Sequence, residues 1–144
     1  MASSSKNVNS ARSRILLAKP GMDGHNRGIR VISRALMNHG HEIIYLGIRR
    51  STHEIAAAAI QEDADIVGIS MLSGAHLELT AEVRRELDRL GGIDIPLICG
   101  GIIPAEDWNE LRRAGADAIF GPGTSIKEIT SRIDLLLVEG RSPT

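Results

Sequence analysis

The chain has 144 residues, a length that fits one domain able to bury roughly 68% of the surface its unfolded form exposes. Its 17 basic and 18 acidic residues give a formal charge of −1, so no global field favours nucleic acid or an anionic membrane, and neither is expected as a partner. The single cysteine, Cys99, excludes an intrachain disulfide, and no apolar stretch approaches the roughly 20 residues that span a bilayer or forms a secretory core before Ile15, so a cytoplasmic protein is expected.

The Ser-rich opening at residues 1–13 reads as a disordered tail, residues 14–138 as the domain and residues 139–144 as a second tail. Ile15-Leu16-Leu17-Ala18 is a short apolar run of the kind buried in parallel sheets. Ile29, Ile32 and Leu36, with Val31 and Ala35, then recur at helical spacing. Ile43 to Leu46 gives a second strand, and Ser51-Thr-His-Glu54 is a capping box that opens a helix through Ile55, Ala59 and Ile60. The third run, Ile66 to Ile69, ends in Ser70; Leu79, Val83, Leu87 and Leu90 mark the helix after it, which stops at Gly91-Gly92. Leu97-Ile98-Cys99 is the fourth strand, and Pro104 suits the first turn of a helix carrying Trp108 and Leu111. Ala118 to Phe120 is the fifth and shortest strand, and Ser125-x-x-Glu128 caps a last helix with Ile126, Ile129, Ile133 and Leu137 on one face.

Five alternations of strand and helix with short connections imply an α/β, flavodoxin-like (Rossmann-like) doubly wound parallel sheet with helices on both faces. The expected strand order is 2-1-3-4-5. In that order the winding reverses between strands 1 and 3, and the loops after strands 1, 3 and 4 surround the crevice. Those loops carry Asp23, Gly24, His25 and Gly28, then Ser70 to Leu72, then Gly100-Gly101.

A histidine beside a carboxylate at such an edge has a defined chemistry. One imidazole nitrogen ligates a transition metal while the other donates to the carboxylate, which fixes the tautomer. Asp23 fits the orienting role toward His25, with Lys19 near enough in sequence to hold the carboxylate ionised. One histidine does not hold a free zinc ion, because such sites take three or four protein ligands. His39, His41, His53 and His76 share no ligand spacing with His25, so its metal is expected to arrive within a cofactor. His39, His41 and His53 read as exposed; His76 follows the Ser70–Leu72 loop and could border the cofactor, but reads first as a surface residue at a helix start. Gly24 and Gly28 let the first loop turn and its helix pack closely, Ser70 offers a small hydroxyl, and Gly100-Gly101 offers bare backbone to a bulky ligand. Leu72 would add apolar surface, whereas Trp108, Tyr45 and Phe120 read as core or interface.

In order and spacing, Asp23-x-His25-x-x-Gly28, Ser70-Met71-Leu72 and Gly100-Gly101 resemble the three-part signature of cobalamin-binding domains. The resemblance covers about residues 14 to 138 and is closest to the cobalamin domain or small subunit of the methylmalonyl-CoA mutase family. It implies adenosylcobalamin bound base-off, with His25 replacing the dimethylbenzimidazole as the lower axial cobalt ligand and the displaced nucleotide tail in a deep pocket. It extends the expected cofactor-binding set over Lys19, Gly21, Asp23, Gly24, His25, Asn26, Arg27, Gly28, Ser70, Leu72, Gly100, Gly101, Gly121 and Thr124. Thr124 is also placed to cap the last helix. The chain departs from the family at Asn26, where many relatives carry a carboxylate; the change leaves the ligand and its orienting partner in place.

The resemblance further implies an intramolecular transferase in which this chain is a cofactor-binding subunit, inactive alone. The acyl-CoA substrate, of methylmalonyl, isobutyryl or 2-hydroxyisobutyryl type, would bind the barrel domain of a separate large subunit. Two alternatives stand beside it. A corrinoid carrier or cobalamin sensor usually carries a helical cap upstream, for which the residues before Ile15 are too few. A flavodoxin-like module without cobalamin lacks support: a receiver would want an aspartate where Ser70 stands, and a flavin site would want a hydroxyl-rich loop that residues 19–28 do not supply.

Overall fold

Each apolar run of the sequence forms a strand of one parallel sheet. The computed structural model describes residues 13–21, 27–72 and 74–141. Its strands are β1 (Arg14–Pro20), β2 (Glu42–Arg50), β3 (Ile66–Leu72), β4 (Leu97–Ile102) and β5 (Ala118–Phe120). The helices between and after them are α1 (Arg27–Asn38), α2 (Thr52–Gln61), α3 (His76–Arg89), α4 (Trp108–Ala114) and α5 (Ile126–Glu139), with a 3₁₀ turn at Ala105–Asp107 leading into α4. The sheet order is β2-β1-β3-β4-β5, as expected.

Alternation along the strands divides the core in two. Leu16, Val67, Ile69, Met71, Leu97 and Cys99 pack with Ile55, Ala59, Val83, Leu87 and Leu111, so α2, α3 and α4 cover that face. Ile15, Leu17, Ile66 and Ile98 pack with Ile29, Leu36, Ile129 and Ile133 from α1 and α5 on the other. Both capping boxes are formed: Ser51 and Ser125 accept from the backbone N–H of Glu54 and Glu128, and each glutamate accepts from its cap's own N–H. At the end of α5, Arg141 Nε donates to both carboxylate oxygens of Asp117 at 3.1 Å.

Two histidine expectations are corrected. His41 precedes edge strand β2, yet its side chain is only 5% exposed, because its backbone N–H bonds to Leu36 O and tucks it beside α5. His76 opens α3 but is buried, held by bonds at both ring nitrogens.

Candidate cofactor site

At the carboxyl edge the sheet opens where β1 and β3 run side by side with connections leaving in opposite directions. Residues two apart in a strand share a face. Gly68 and Ser70 therefore lie together in β3, and Gly100 is Ser70's partner across the β3–β4 ladder. Three successive positions with little or no side chain leave the floor low. Above it α1 supplies Ile29 and Ile32, α5 supplies Ile126 and Ile129, and Phe120 closes the β5 side. The result is a cleft of about 560 Å³.

The glycines of this floor do different jobs. A Cβ on Gly68 would lie 2.7 Å from Leu17 Cδ2, so the glycine lets neighbouring side chains close over the strand. Gly101 has φ +125°, and a Cβ there would overlap Met71 O, so its backbone sits against β3 in a way no other residue permits. Gly121 accommodates Trp108, whose Cζ2 lies 2.9 Å from where a Cβ would stand. The close helix packing expected of Gly28 is not found: nothing lies within 4 Å of where its Cβ would stand, and that open space belongs to the cleft.

Polar groups are few and directed. Lys19 is buried, and its Nζ donates to Ser70 O at 3.2 Å and reaches Ser70 Oγ at 3.4 Å, across the seam between β1 and β3. The ammonium thus stands at the winding reversal, tied to a residue of the cleft floor. Thr124 Oγ1 donates to Gly121 O at 2.8 Å and closes the turn after β5. Ser125, not Thr124, caps α5, and Thr124 is among the residues that line the cleft. Cys99 belongs to the opposite core, and burial pushes its thiol up to about 12.

Of the residues singled out from sequence, Arg27, Gly28, Ser70, Gly100, Gly101, Gly121 and Thr124 come together around this one cleft. Lys19 stands behind Ser70. Gly21 turns with φ +82°, its N–H bonded to Arg50 O, away from the lining, and Leu72 is 40% exposed at the end of β3 beyond it. Asp23, Gly24, His25 and Asn26 lie outside the described residues, between the end of β1 and the start of α1.

Sequence reasoning missed the apolar walls. Phe120, assigned to core or interface, lines the cleft, as do Ile29, Ile32 and Ile129; an apolar residue facing a ligand has the same pattern as one facing core. Gly68 was the available signal, since a mid-strand glycine marks close approach of another group.

Residues 13–130 match the family model of the B12 binding domain. The chain belongs to the B12-binding domain family. Among its relatives, the 2-hydroxyisobutanoyl-CoA mutase small subunit of Aquincola tertiaricarbonis is 40% identical over 86% of this chain and 91% of that subunit. The methylmalonyl-CoA mutase large subunit of Propionibacterium freudenreichii subsp. shermanii is 45% identical over 81% of this chain, which spans only 16% of that protein. Among solved structures, a cobalamin-binding protein from Desulfitobacterium hafniense superposes with a TM-score of 0.71 at 26% identity, covering 87% of this chain and 58% of the other.

The cleft fits what a B12-binding domain has to hold. Cobalamin is a bulky macrocycle with an aromatic base on a polar nucleotide tail. A slot with apolar walls and a glycine floor suits a flat aromatic group, and Thr124 and Ser70 are the hydroxyl-bearing residues of its lining. No helix among the described residues is long and apolar enough to cross a membrane.

Proposed function

We propose that this chain is the cobalamin-binding subunit of an adenosylcobalamin-dependent acyl-CoA mutase whose substrate site lies on a separate large subunit with a barrel domain. The observation that carries the reading is the likeness to a mutase small subunit along nine-tenths of that subunit's length, joined to a cleft that suits the cofactor's nucleotide tail. His25 is the lower axial cobalt ligand, with the cofactor bound base-off. Asp23 accepts from the other ring nitrogen and holds the imidazole's tautomer and direction. Lys19, from the end of β1, keeps that carboxylate ionised. Ser70, Gly100, Gly101, Gly121 and Thr124 hold the displaced nucleotide, and Ile29, Phe120 and Ile129 keep water from its base.

The bound cofactor supplies radical chemistry through homolysis of its cobalt–carbon bond, which permits carbon-skeleton rearrangement of the acyl group. This chain's part is to bind and orient, and substrate choice among methylmalonyl-, isobutyryl- and 2-hydroxyisobutyryl-CoA rests with the large subunit. The test is reconstitution. This chain with adenosylcobalamin should leave acyl-CoA substrates unchanged, and addition of a mutase large subunit should start isomerisation. Methyl transfer from a corrinoid-loaded chain, with no isomerisation alongside any large subunit, would instead make it a corrinoid carrier.

A further inference from the structure

Opposite the cofactor edge, three ligand-bearing side chains converge. His39 follows the end of α1, His41 lies just before β2, and Asp134 sits two turns into α5. Their ligand atoms lie within 4.8 Å of one another. His39 Nε2 hydrogen-bonds Asp134 Oδ2 at 3.0 Å, and His41 Nε2 is 3.4 Å from the other oxygen, Asp134 Oδ1.

The His41 ring is the most enclosed of the three side chains. It is 95% buried by its 5% side-chain exposure, and neither ring nitrogen has a hydrogen-bond partner among the described residues. Buried polar atoms are nearly always satisfied, because removing one from water without a partner forfeits its hydration with nothing in return. Nε2 faces the Asp134 carboxylate without the alignment of a hydrogen bond. An ion between them would account for both the proximity and the misalignment. Two atoms each 2.0–2.1 Å from a tetrahedral centre are about 3.3 Å apart, close to the 3.4 Å between His41 Nε2 and Asp134 Oδ1.

We propose that His39, His41 and Asp134 form a three-ligand site for a divalent transition metal of the zinc type, distinct from the cobalamin cleft. Two imidazole nitrogens and one carboxylate oxygen suit zinc, cobalt(II) or nickel(II), and do not suit magnesium or calcium, which take oxygen ligands. His39 and Asp134 are 44% and 49% exposed, so the ion is reached from solvent and water completes its coordination. The site ties the turn between α1 and β2 to α5. Those two helices are the walls of the cofactor cleft, so the metal clamps them together at the end remote from the opening.

The test uses the full chain without an affinity tag, stripped of metal, with zinc titrated against a chromophoric chelator and cobalt(II) followed by its visible d–d bands. One equivalent should bind, and the His25→Ala variant should retain it. His39→Gln and Asp134→Asn, at exposed positions where folding is checked by circular dichroism, should each weaken binding on the order of tenfold or more. Zinc should raise the melting temperature of the parent chain and not of these variants. Absence of stoichiometric binding would overturn the proposal. So would binding that survives both substitutions, or that disappears in His25→Ala, since each assigns the ion to another place.

Discussion

His76 Nε2 donates to Asp107 Oδ2 at 2.8 Å, joining the start of α3 to the 3₁₀ turn that follows β4. The tautomer follows from the other nitrogen, Nδ1, which accepts the Gly74 N–H at 3.0 Å. One buried ring thereby fixes the segment after Leu72 to the segment after Gly101, two of the loops that frame the cleft. His76→Ala leaves Gly74 N–H and Asp107 unpaired. It should cost about 1–3 kcal/mol in urea unfolding and weaken cobalamin binding, although His76 does not line the cleft. Unchanged affinity would show that the two loops hold their positions independently.

Two glycines separate a steric role from a pocket role. Gly101→Ala places a methyl on Met71 O at a left-handed φ and should destabilise by about 3 kcal/mol or more. Gly28→Ala meets nothing within 4 Å and sits in the first turn of α1, so stability should hold or rise by up to about 1 kcal/mol. Its methyl enters the cleft, and cobalamin affinity should fall. Thermal melts beside cofactor titrations of both variants check the contrast.

Cys99 should be inert in the folded chain. It is fully buried, its Sγ lies 3.6 Å from Thr80 Oγ1, and burial holds its pKa at about 12. An aromatic disulfide reagent at about pH 8 should release no chromophore until denaturant is added. Prompt reaction in the native state would mean that the core beneath the cleft opens readily.

His41 makes stability pH-dependent when metal is chelated. Burial pushes its pKa below the ordinary 6.5, Asp134 pulls it up and His39 adds to the lowering. The unfolded chain then takes the proton first. Stability from the neutral ring is complete above about pH 6.5 and is lost as pH falls through the lower folded value. Urea midpoints between about pH 7 and about pH 5 should therefore fall more steeply for the parent chain than for His41→Gln. Equal slopes would show that His41 is protonated without cost in the fold.

Much of the fold is legible because the sequence repeats one signal. Ile15–Ala18, Ile66–Ile69 and Leu97–Cys99 are continuous apolar runs, as strands covered on both faces require, and Ser51 with Glu54 and Ser125 with Glu128 mark helix starts at single-residue precision. The cleft's glycines were legible for another reason, since Gly28, Gly100 and Gly101 belong to motifs that follow successive strands and resemble a known signature. Its walls were not, because Ile29, Phe120 and Ile129 look the same whether they meet core or ligand. The buried histidines were hidden by distance: His76 depends on Asp107, 31 residues away, and His41 on Asp134 in the last helix. A polar residue's burial is set by where its partner returns, which local pattern does not carry.

The proposed role of His25, binding cobalt in place of the cofactor's own base, is read from the visible absorption spectrum of the chain mixed with adenosylcobalamin at neutral pH. A bound spectrum is expected in which dimethylbenzimidazole coordination is lost and nitrogen ligation retained, with that signature absent in His25→Ala. A free-cofactor spectrum with both proteins, persisting after a mutase large subunit is added, would contradict it.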